Sequence, residues 1–421
     1  MCTPGTTEAC YDGPAGTQDL GLCVAGTRTC DASGAAWGSC MDQVLPVREV
    51  CGDNADNDCD GTADNPIDDD GDGWTDCDGD CDETRALVNL GAFEIVGDGL
   101  DNDCSATTSD TTPAALCSAS TKFAGVTASD QVKALDLCQT TTANPPLAQR
   151  TWGLISTTHQ LANGTTPSAA DASNIANLQA SVTTLFGSTI VPRRGVTLAG
   201  LSTGASRDAN DAGFVSPVSG TAFTSALPFP SSGPLGTYLA AHGGNVLAGS
   251  CGAATCPIGT GANDSVMLNL TIRVPTNAYG VSFDFRFLSS EYQNYQCTQF
   301  NDQFLILLTT GAAGIPADRN IAFDATGAPI SVNSKFLSVC GGNTKNCGTC
   351  ADGTAGLAGT GYDAVNGAAT PWLTTDAPVI PGETITLRFM LFDLGDHIFD
   401  SQVLLDNLRW SATPMTVGTH P

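Results

Sequence analysis

Aspartates recur with a 12-residue period between residues 46 and 108, and carboxylates spaced in this way can bind a divalent cation. We call this segment the acidic band. The first unit has Asp56, Asp58, Asp60, Gly61 and Asp64, and the second has Asp68, Asp70, Asp72, Gly73 and Asp76. This is the ligand spacing of a calcium loop, in which alternate side chains converge on one point and glycine permits the sharp turn. The pattern therefore predicts several Ca²⁺ ions bound by carboxylate oxygens.

Neither loop has the bidentate Glu that a calcium loop carries at its last position. Asp68 and Asp80, one place further on, could each close one loop and open the next, which would string the ions into a ladder with shared ligands. The predicted ligands are Asp53, Asp56, Asp58, Asp60, Asp64, Asp68, Asp70, Asp72, Asp76, Asp78, Asp80, Asp82, Asp98, Asp101 and Asp103.

A second repeat, with an offset of 45 residues, overlies the first. Residues 49–53 and 56–59 match residues 94–98 and 101–104. The second copy lacks the Asp-Gly that follows Cys59 in the first copy. We therefore expect a weaker or terminal metal site there.

The competing interpretation of the acidic band is a solvated, disordered segment, which is the usual fate of like-charge runs. Periodic glycines and four interspersed cysteines (Cys59, Cys77, Cys81 and Cys104) argue for an ordered structure. Carboxylates about 4 Å apart repel by roughly 1 kcal/mol per pair even in water. The band is therefore expected to become ordered only when metal binds, and Ca²⁺ is favoured over Mg²⁺ because flexible all-protein oxygen cages suit the larger ion.

Composition limits the possible partners. The chain has 421 residues, of which 44 are acidic and 16 basic, for a net charge of −28. This balance excludes nucleic-acid binding through a basic face and attraction to anionic lipid. No apolar run approaches the roughly 20 residues that a membrane span needs, and no basic-then-apolar leader precedes Cys2. We expect an extracellular or cell-surface protein whose signal peptide is absent from this chain.

An even number of cysteines indicates disulfides formed in an oxidising compartment. The 18 are Cys2, Cys10, Cys23, Cys30, Cys40, Cys51, Cys59, Cys77, Cys81, Cys104, Cys117, Cys138, Cys251, Cys256, Cys297, Cys340, Cys347 and Cys350. A zinc protein is the alternative, but the spacing is too irregular for sites of four thiolates each. One of the five cysteines before residue 45 should pair within the band, with Cys51 the nearest candidate, and Cys251–Cys256 is a further expected bridge.

The sequence predicts a mainly β protein in three regions and a tail. Residues 1–45 form a small disulfide-rich region with too few apolar residues for a core, residues 46–108 form the calcium-loop repeats, residues 110–412 form a large domain, and residues 413–421 are the tail. In the large domain, strict alternation predicts half-buried antiparallel strands, and a continuous apolar run predicts a strand buried on both faces. The alternating segments are 266–274, 281–287 and 385–391, the continuous run is 304–308, and helices are predicted over 129–137 and 169–186. Gly, Pro and Asn clusters between the strands favour an antiparallel β-sandwich of jelly-roll type.

Two stretches of the first 105 residues carry a family resemblance. Residues 30–40 together with Glu-Val-Cys-Gly-Asp-Asn-Ala-Asp-Asn-Asp-Cys-Asp-Gly at 49–61 resemble the metal-binding repeats of secreted myxobacterial and MopE-like surface proteins. Asp-Asp-Asp-Gly-Asp-Gly-Trp-Thr-Asp-Cys-Asp at 68–78 is similar to a thrombospondin type 3 calcium repeat. Both resemblances imply a secreted, metal-binding segment.

The large domain resembles a second family. Residues 285–304 contain Ser-Ser-Glu-Tyr-Gln-Asn-Tyr and Gln-Phe-Asn-Asp-Gln-Phe, and residues 395–407 read Gly-Asp-His-Ile-Phe-Asp-Ser-Gln-Val-Leu-Leu-Asp-Asn. With residues 196–204 they resemble the choice-of-anchor L domain of bacterial secreted and surface proteins, which implies a surface-attached β domain without known catalysis. The polar residues of these motifs could hold one more calcium ion, or could equally cap turns and bind backbone. They are Glu291, Asn301, Asp302, Asp400, Asp406 and Asn407.

Three patterns suggest catalysis without completing a site. The segment 200–204 fits the G-x-S-x-G nucleophile elbow around Ser202, but no α/β-hydrolase alternation follows, so a structural turn is favoured. The Cys-x-x-Cys at 347–350 lacks the βαβ context of a redox motif, and a disulfide role is favoured. Nothing fixes the separation of Glu291 and Asp302 as a glycosidase pair. The protein is therefore predicted not to be an enzyme.

The predicted function is that of an extracellular structural or adhesive protein rigidified by calcium and disulfides. Its expected partners are further copies of itself, assembled into a fibre through calcium-ladder and β-edge contacts, or components of the cell surface and matrix. The alternative is a calcium-dependent carbohydrate-binding module, with Trp372 in a loop as an exposed platform for glycans. A secreted hydrolase using Ser202 is the least favoured interpretation.

Overall fold

The computed structural model describes the chain except residues 67, 109, 112–115, 118, 224–227, 253, 344 and 365. The chain divides into two compact units. The N-terminal unit contains residues 1–113 and 144–150, and the sandwich unit contains residues 114–143 and 151–421. The finer division at residue 45 stays a prediction.

Regular structure in the described residues is mostly β. The strands are β1 Thr7–Cys10, β2 Gly26–Thr29, β3 Gly153–Gln160, β4 Ala180–Thr183, β5 Leu198–Ser202, β6 Ser250–Cys251, β7 Ala254–Thr255, β8 Asn263–Arg273, β9 Gly280–Ser289, β10 Gln303–Thr309, β11 Ile330–Ser331, β12 Val339–Cys340, β13 Ala368–Ala369, β14 Leu373–Pro378, β15 Thr384–Asp393, β16 Ser401–Ser411 and β17 Gly418–His420. The α-helices are α1 Ala128–Ala134, α2 Ala169–Asn174, α3 Gly233–Ala241 and α4 Tyr292–Tyr295; the 3₁₀ turns are Leu147–Gln149 and Ala355–Leu357, and Ile175–Gln179 is a π-helical turn. No helix among the described residues is both long enough and apolar enough to span a bilayer.

Disulfides stabilise the N-terminal unit, whose described strands are the short antiparallel pair β1–β2. The bridges are Cys2–Cys30, Cys10–Cys40, Cys23–Cys59, Cys51–Cys77 and Cys81–Cys104. One early cysteine does reach the acidic band, as predicted, but its partner is Cys59 and not Cys51. The backbone explains the choice, because the Leu22 N–H donates to the Asp56 carbonyl at 2.9 Å and so brings Cys23 beside Cys59.

The sandwich unit carries four further disulfides. They are Cys117–Cys138, Cys251–Cys347, Cys256–Cys297 and Cys340–Cys350. The predicted Cys251–Cys256 bridge is therefore wrong. Cys251 lies in β6, where its cross-strand neighbour is Ala254, so Cys256 lies outside the β6–β7 pair and is not opposite Cys251. Each of the two cysteines instead forms its disulfide with a cysteine that is distant in the sequence. Cys347 and Cys350 have different partners, which excludes a Cys-x-x-Cys redox or zinc motif.

Two antiparallel sheets face each other in the sandwich unit. One has the order β11-β10-β15-β8-β3; the other has the order β12-β13-β9-β16-β5-β4, with β14 paired to β9 and β17. Aromatic rings join the facing surfaces, because Phe283 of β9 meets Phe389 of β15 at 5.1 Å and Phe285 of β9 meets Phe304 of β10 at 5.2 Å between ring centroids. The predicted mainly β, antiparallel sandwich is confirmed.

The outer faces of both sheets are also covered in part, so the prediction of half-buried strands is wrong for the segment 281–287. The other two segments keep partly exposed polar positions at the predicted alternation, namely Asn269, Thr271, Thr386 and Arg388. Every residue of β9 is buried. On the five-stranded sheet, α3 contributes Leu235 and Tyr238 to a buried cluster with Met390. On the larger sheet, Phe186 and Leu357 belong to a buried cluster with Leu288. The alternating polar residues of β9 therefore lie under a second layer, where each needs a hydrogen-bond partner.

One predicted helix is confirmed and the other is largely wrong. The helix predicted over 129–137 is α1, which begins after Thr127 with a capping box to Asp130. The helix predicted over 169–186 ends at Asn174, passes through the π turn and becomes strand β4. Tertiary context overrides the helical spacing there, because β4 is fully buried and pairs with β5.

A half-buried histidine makes the sandwich sensitive to acid. His159 of β3 shares a hydrogen bond of 2.7 Å with the Gln131 side chain of α1, and burial lowers the pKa of His159 to about 4. The unfolded chain takes up this proton below pH 6.5 and the folded chain does not, so the contribution to stability is present above pH 6.5 and is lost as pH falls toward 4. We expect this loss to reach about 2 kcal/mol.

The substitution His159→Gln keeps a hydrogen-bonding side chain that does not titrate. Urea unfolding of the wild type and of this variant at pH 7 and pH 4.5 measures the difference. The variant should lose less stability than the wild type between the two pH values, and equal losses would contradict the assignment.

Candidate metal centre

Three trios of carboxylates lie close together in the acidic band. Within each trio, one oxygen from every residue lies within 4.8 Å of the others. The first trio is Glu49, Asp56 and Asp58, the second is Asp68, Asp70 and Asp72, and the third is Glu94, Asp101 and Asp103. The predicted alternate spacing thus brings carboxylates together in both 12-residue loops that contain it in full.

Backbone amides hold the first trio in place. Glu49 is buried, and its Oε1 accepts from the N–H groups of Asn57 and Asp58 at 2.8 and 3.0 Å. Asp56 accepts from the N–H groups of Asp60 and Gly61 at 3.1 and 2.9 Å, which wraps the loop around the carboxylates. Gly61 has φ +100°, a conformation that favours glycine and explains the fixed position 6.

The third trio repeats the first at the offset of 45 residues. In the first copy, the Val50 N–H donates to Asn57 Oδ1 at 3.1 Å; in the second, the Ile95 N–H donates to Asn102 Oδ1 at 2.9 Å. The Asn102 N–H in turn donates to Glu94 Oε2 at 2.9 Å, as the Asn57 N–H does to Glu49. Two buried asparagines therefore fix equivalent loops.

Glu49 and Glu94 were not among the predicted ligands, although the 45-residue repeat contains both. Each lies seven residues before the first aspartate of its trio, outside the span that a calcium-loop pattern covers. Their recurrence at the same offset is the signal by which the sequence could have revealed them.

The second trio leaves a ligand oxygen without a partner. Asp68 accepts from the N–H groups of Gly71 and Gly73 at 2.8 and 3.2 Å. Asp72 accepts from the Trp74 N–H and from the Asn89 side chain, both at 2.7 Å. Asp70 Oδ1 accepts from the Asp72 N–H at 3.2 Å, whereas Asp70 Oδ2 is buried with no hydrogen-bond partner.

Two more buried acids in the band have unpartnered oxygens. Asp80 and Glu83 are only 4% and 6% exposed, and neither Asp80 Oδ2 nor Glu83 Oε1 has a hydrogen-bond partner. Burial is the main cause that raises the pKa of Glu83, to about 7, and burial also raises the pKa of Asp80. Oxygens that have left water without gaining a donor are the groups a cation would satisfy.

Several predicted ligands lie outside the trios and bind donors instead. Asp64 accepts from the N–H groups of Gly52 and Asn54, Asp53 from Ala55, Asp60 from Thr62 and Asn65, Asp78 from the Thr75 hydroxyl, and Asp98 from Leu100 and Asn102. Asp82 pairs with Arg85, and Asp76 lies 3.9 Å from Arg48. Asp68 does not belong to the first trio and Asp80 does not belong to the second, so the ladder of ions with shared ligands stays a prediction.

The donor set fits a hard cation. The trios offer carboxylate oxygens alone, and the acidic band contains no His or Met. Its cysteines are all in disulfides, namely Cys51, Cys59, Cys77, Cys81 and Cys104. In the sandwich unit, the sulfurs of Cys251, Cys256 and Cys297 lie close to one another, and they too are in disulfides. Copper prefers imidazole, thiolate and thioether ligands, whereas Ca²⁺ prefers oxygen.

Two family models match the chain. Residues 254–409 match the choice-of-anchor L domain. Residues 47–65 and 80–110 match the copper-binding MopE family, described as a "putative metal-binding motif". The predicted resemblances to the MopE family and to the choice-of-anchor L domain are confirmed, and neither family is enzymatic. The similarity of residues 68–78 to a thrombospondin type 3 repeat stays a prediction.

Anchor and metal-binding domains of this kind indicate a surface protein. The second 12-residue unit lies between the two segments that match the MopE family. Comparison with curated proteins finds no match, and neither does comparison with solved structures.

Within the segment that matches the choice-of-anchor L family, the additional candidate ligands separate into two groups. Glu291, Asp302 and Asp400 are each 1% exposed and lie at strand ends. The others serve the fold. Asn301 Oδ1 accepts from the Asn333 N–H at 3.0 Å, Asp406 Oδ2 accepts from the Arg194 N–H at 3.2 Å, and the Asn407 side chain donates to Asp284 at 2.9 Å.

Ser202 is not placed as a nucleophile. It is fully buried at the end of β5, where its hydroxyl donates to the Ser401 carbonyl at 3.1 Å and accepts from the Gly204 N–H at 3.0 Å. His397 is bonded to Asp264 at 2.9 Å and His242 to Asp318 at 2.8 Å. The favoured interpretation of the Gly-x-Ser-x-Gly segment as a structural turn agrees with these contacts.

Trp372 does not form the exposed platform that glycan binding would use. It precedes β14 in a loop, as expected, but is only partly exposed and packs against the buried cluster that contains Phe186 and Leu288. A ring held in this way offers little free face for stacking on a sugar.

Proposed function

We propose that this surface protein is a non-enzymatic structural component whose N-terminal unit is ordered by Ca²⁺ bound to the three trios. The observation that carries the proposal is the set of buried carboxylate oxygens without partners in the acidic band. Asp70 Oδ2 and Glu94 Oε1 belong to two of the trios, and Asp80 Oδ2 and Glu83 Oε1 belong to further buried acids of the band that could add ligands. An ionised oxygen buried without a donor is costly, and a bound cation removes that cost.

Calcium is the proposed ion because the sites are built from side-chain oxygens on flexible loops. Ca²⁺ takes six to eight oxygens in variable geometry, whereas Mg²⁺ demands a near-ideal octahedron and keeps several waters. The absence of imidazole and thiolate donors from the acidic band argues against copper despite the label of the matching family.

The proposed role of the ions is mechanical. Three disulfides connect segments of the N-terminal unit: Cys23–Cys59, Cys51–Cys77 and Cys81–Cys104. Each stabilises the folded unit by roughly 2–4 kcal/mol because it restricts the conformations of the unfolded chain. They do not neutralise the aspartates. Bound Ca²⁺ neutralises the aspartates and so converts a self-repelling segment into a stiff one. A stiff segment is suited to present the anchor domain or to join copies of the chain into a fibre.

The experiment examines cells that produce the chain and the purified full chain in parallel. Antibody labelling of intact cells should place the protein at the surface. Sedimentation velocity at several protein concentrations should show calcium-dependent self-association that a chelator reverses. A monomer at saturating Ca²⁺ would eliminate the fibre and leave adhesion to other surface components, and labelling only after cell lysis would refute the surface role.

A further inference from the structure

Four buried acids meet at one end of the sandwich. Glu291 follows β9, Asp302 precedes β10, Asp393 ends β15 and Asp400 precedes β16. The register brings them together, because Gln303 pairs with Phe392 in one sheet and Ser289 pairs with Ser401 in the other. All four acids are 1% exposed.

Half of the carboxylate oxygens in this group have no hydrogen-bond partner. Asp302 is satisfied by the Ser401 hydroxyl at 2.7 Å and the Leu394 N–H at 3.2 Å. The unpartnered atoms are Glu291 Oε2, Asp400 Oδ2 and both carboxylate oxygens of Asp393. Among the described residues, no Lys or Arg forms an ion pair with any of the four acids.

The backbone makes room for this group. A Cβ atom on Gly204 would lie 1.7 Å from Asp400 Oδ2, so the carboxylate rests directly against the Gly204 backbone. The Thr203 hydroxyl accepts from the Ser401 N–H at 2.9 Å and also lies beside Asp393. The Gly-x-Ser-x-Gly segment that resembles a nucleophile elbow therefore forms one wall of an oxygen-rich cluster.

We propose that Glu291, Asp302, Asp393 and Asp400 bind a hard divalent cation, with Ca²⁺ the favoured ion, at a site separate from the acidic band. The donors are carboxylate oxygens with a neighbouring hydroxyl, which is the chemistry that Ca²⁺ prefers. Among the described residues, the groups of three carboxylates whose oxygens lie within 4.8 Å of one another are in the acidic band. The four carboxylates of the sandwich do not form such a group, so they would move closer together when the ion binds.

The alternative for such a group is a set of protonated acids that share hydrogens. Burial raises the pKa of all four carboxyls in the absence of metal. Raised pKa values are expected both for a group that shares protons and for a cation site that has no ion bound. The two states differ in what happens when one carboxylate is replaced by an amide. Neutralising an acid relieves repulsion in a proton-sharing group, whereas it removes a ligand from a cation site.

The first experiment counts bound ions. The full-length chain is equilibrated with micromolar Ca²⁺, freed of unbound ion by gel filtration and analysed by plasma mass spectrometry. Asp393→Asn should bind one ion fewer than the wild type. Asp376→Asn is the matched control, since Asp376 is an acid of the same unit that pairs with His420 away from the cluster, and it should bind the full number.

Asp70→Asn in the acidic band keeps this test separate from the function proposed above. Loss of an ion from Asp393→Asn but not from Asp70→Asn would support the sandwich site and contradict Ca²⁺ binding by the acidic band. Loss of an ion from Asp70→Asn but not from Asp393→Asn would overturn the sandwich site alone. Should Asp393→Asn fail to fold, Glu291→Gln replaces it in the same measurement.

The second readout is thermal unfolding of the sandwich followed by near-ultraviolet circular dichroism. A ligand that binds only the folded state raises the unfolding temperature. Calcium should therefore raise it in the wild type and in Asp70→Asn, and much less in Asp393→Asn. An unchanged ion count together with a higher unfolding temperature of Asp393→Asn in chelator would overturn the proposal in favour of shared protons.

Discussion

Removing Ca²⁺ from the full chain is expected to unfold the acidic band while the sandwich stays folded. The band buries few apolar side chains, among them Trp74, Val88 and Ala92, and its carboxylates repel once the ions leave. The sandwich keeps the aromatic contacts between its two sheets. Hydrogen exchange measured by mass spectrometry should show amide protection lost throughout residues 46–108 on adding chelator and restored by excess Ca²⁺.

Asp70→Asn isolates the part of this effect that comes from one ligand. Asp70 Oδ1 accepts from the Asp72 N–H, and an asparagine oxygen can still do so, whereas the unpartnered Oδ2 is replaced by a donor. We expect Ca²⁺ affinity at the second trio to fall about tenfold to a hundredfold, as for lost ligand-sphere contacts in other metal sites. Isothermal titration calorimetry measures the change.

Asp78→Asn is the matched control for this substitution. Asp78 lies in the same band and carries the same charge, but its carboxylate accepts from the Thr75 hydroxyl and belongs to no trio. It should change affinity far less than Asp70→Asn. Equal losses in the two variants would mean that the band attracts ions by its total charge and not by defined sites.

Gly204→Ala is expected to destabilise the sandwich strongly, although it adds only a single methyl group. The new Cβ would lie 1.7 Å from Asp400 Oδ2 and 2.1 Å from its Cγ, and neither backbone nor carboxyl has free space into which to move. Overpacking a buried site costs about 1–3 kcal/mol, and the displaced carboxyl adds to that cost. The unfolding temperature of the sandwich should fall by roughly 5–10 °C.

Gly418→Ala serves as the control, because a Cβ at Gly418 in β17 meets no atom within 4 Å. Its unfolding temperature should stay within about 2 °C of the wild type. If Gly204→Ala behaved like Gly418→Ala, the Asp400 carboxyl could not be held against the Gly204 backbone, and the packing of the four-acid cluster would need revision.

The sequence alone predicted those features that depend on neighbours along the chain. Asp68, Asp70 and Asp72 meet because alternate residues of one short loop converge, and the glycine after them allows the turn. The strand β10, residues 303–309, was predicted from the continuous apolar run at 304–308, because a strand without polar alternation is buried on both faces. In both cases backbone geometry over a dozen residues decides the result.

Only the tertiary structure decided which distant residues meet. Glu49 joins Asp56 because backbone amides of the loop bind its carboxylate, and Cys23 bonds Cys59 because of one hydrogen bond between their segments. Asp393 reaches Asp302 only through the pairing of β10 with β15. The helix predicted to continue to residue 186 gave way to a strand for the same reason. Within the sandwich, contacts between distant segments depend on sheet register and on the layers that cover each sheet, and neither leaves a periodic trace in the sequence.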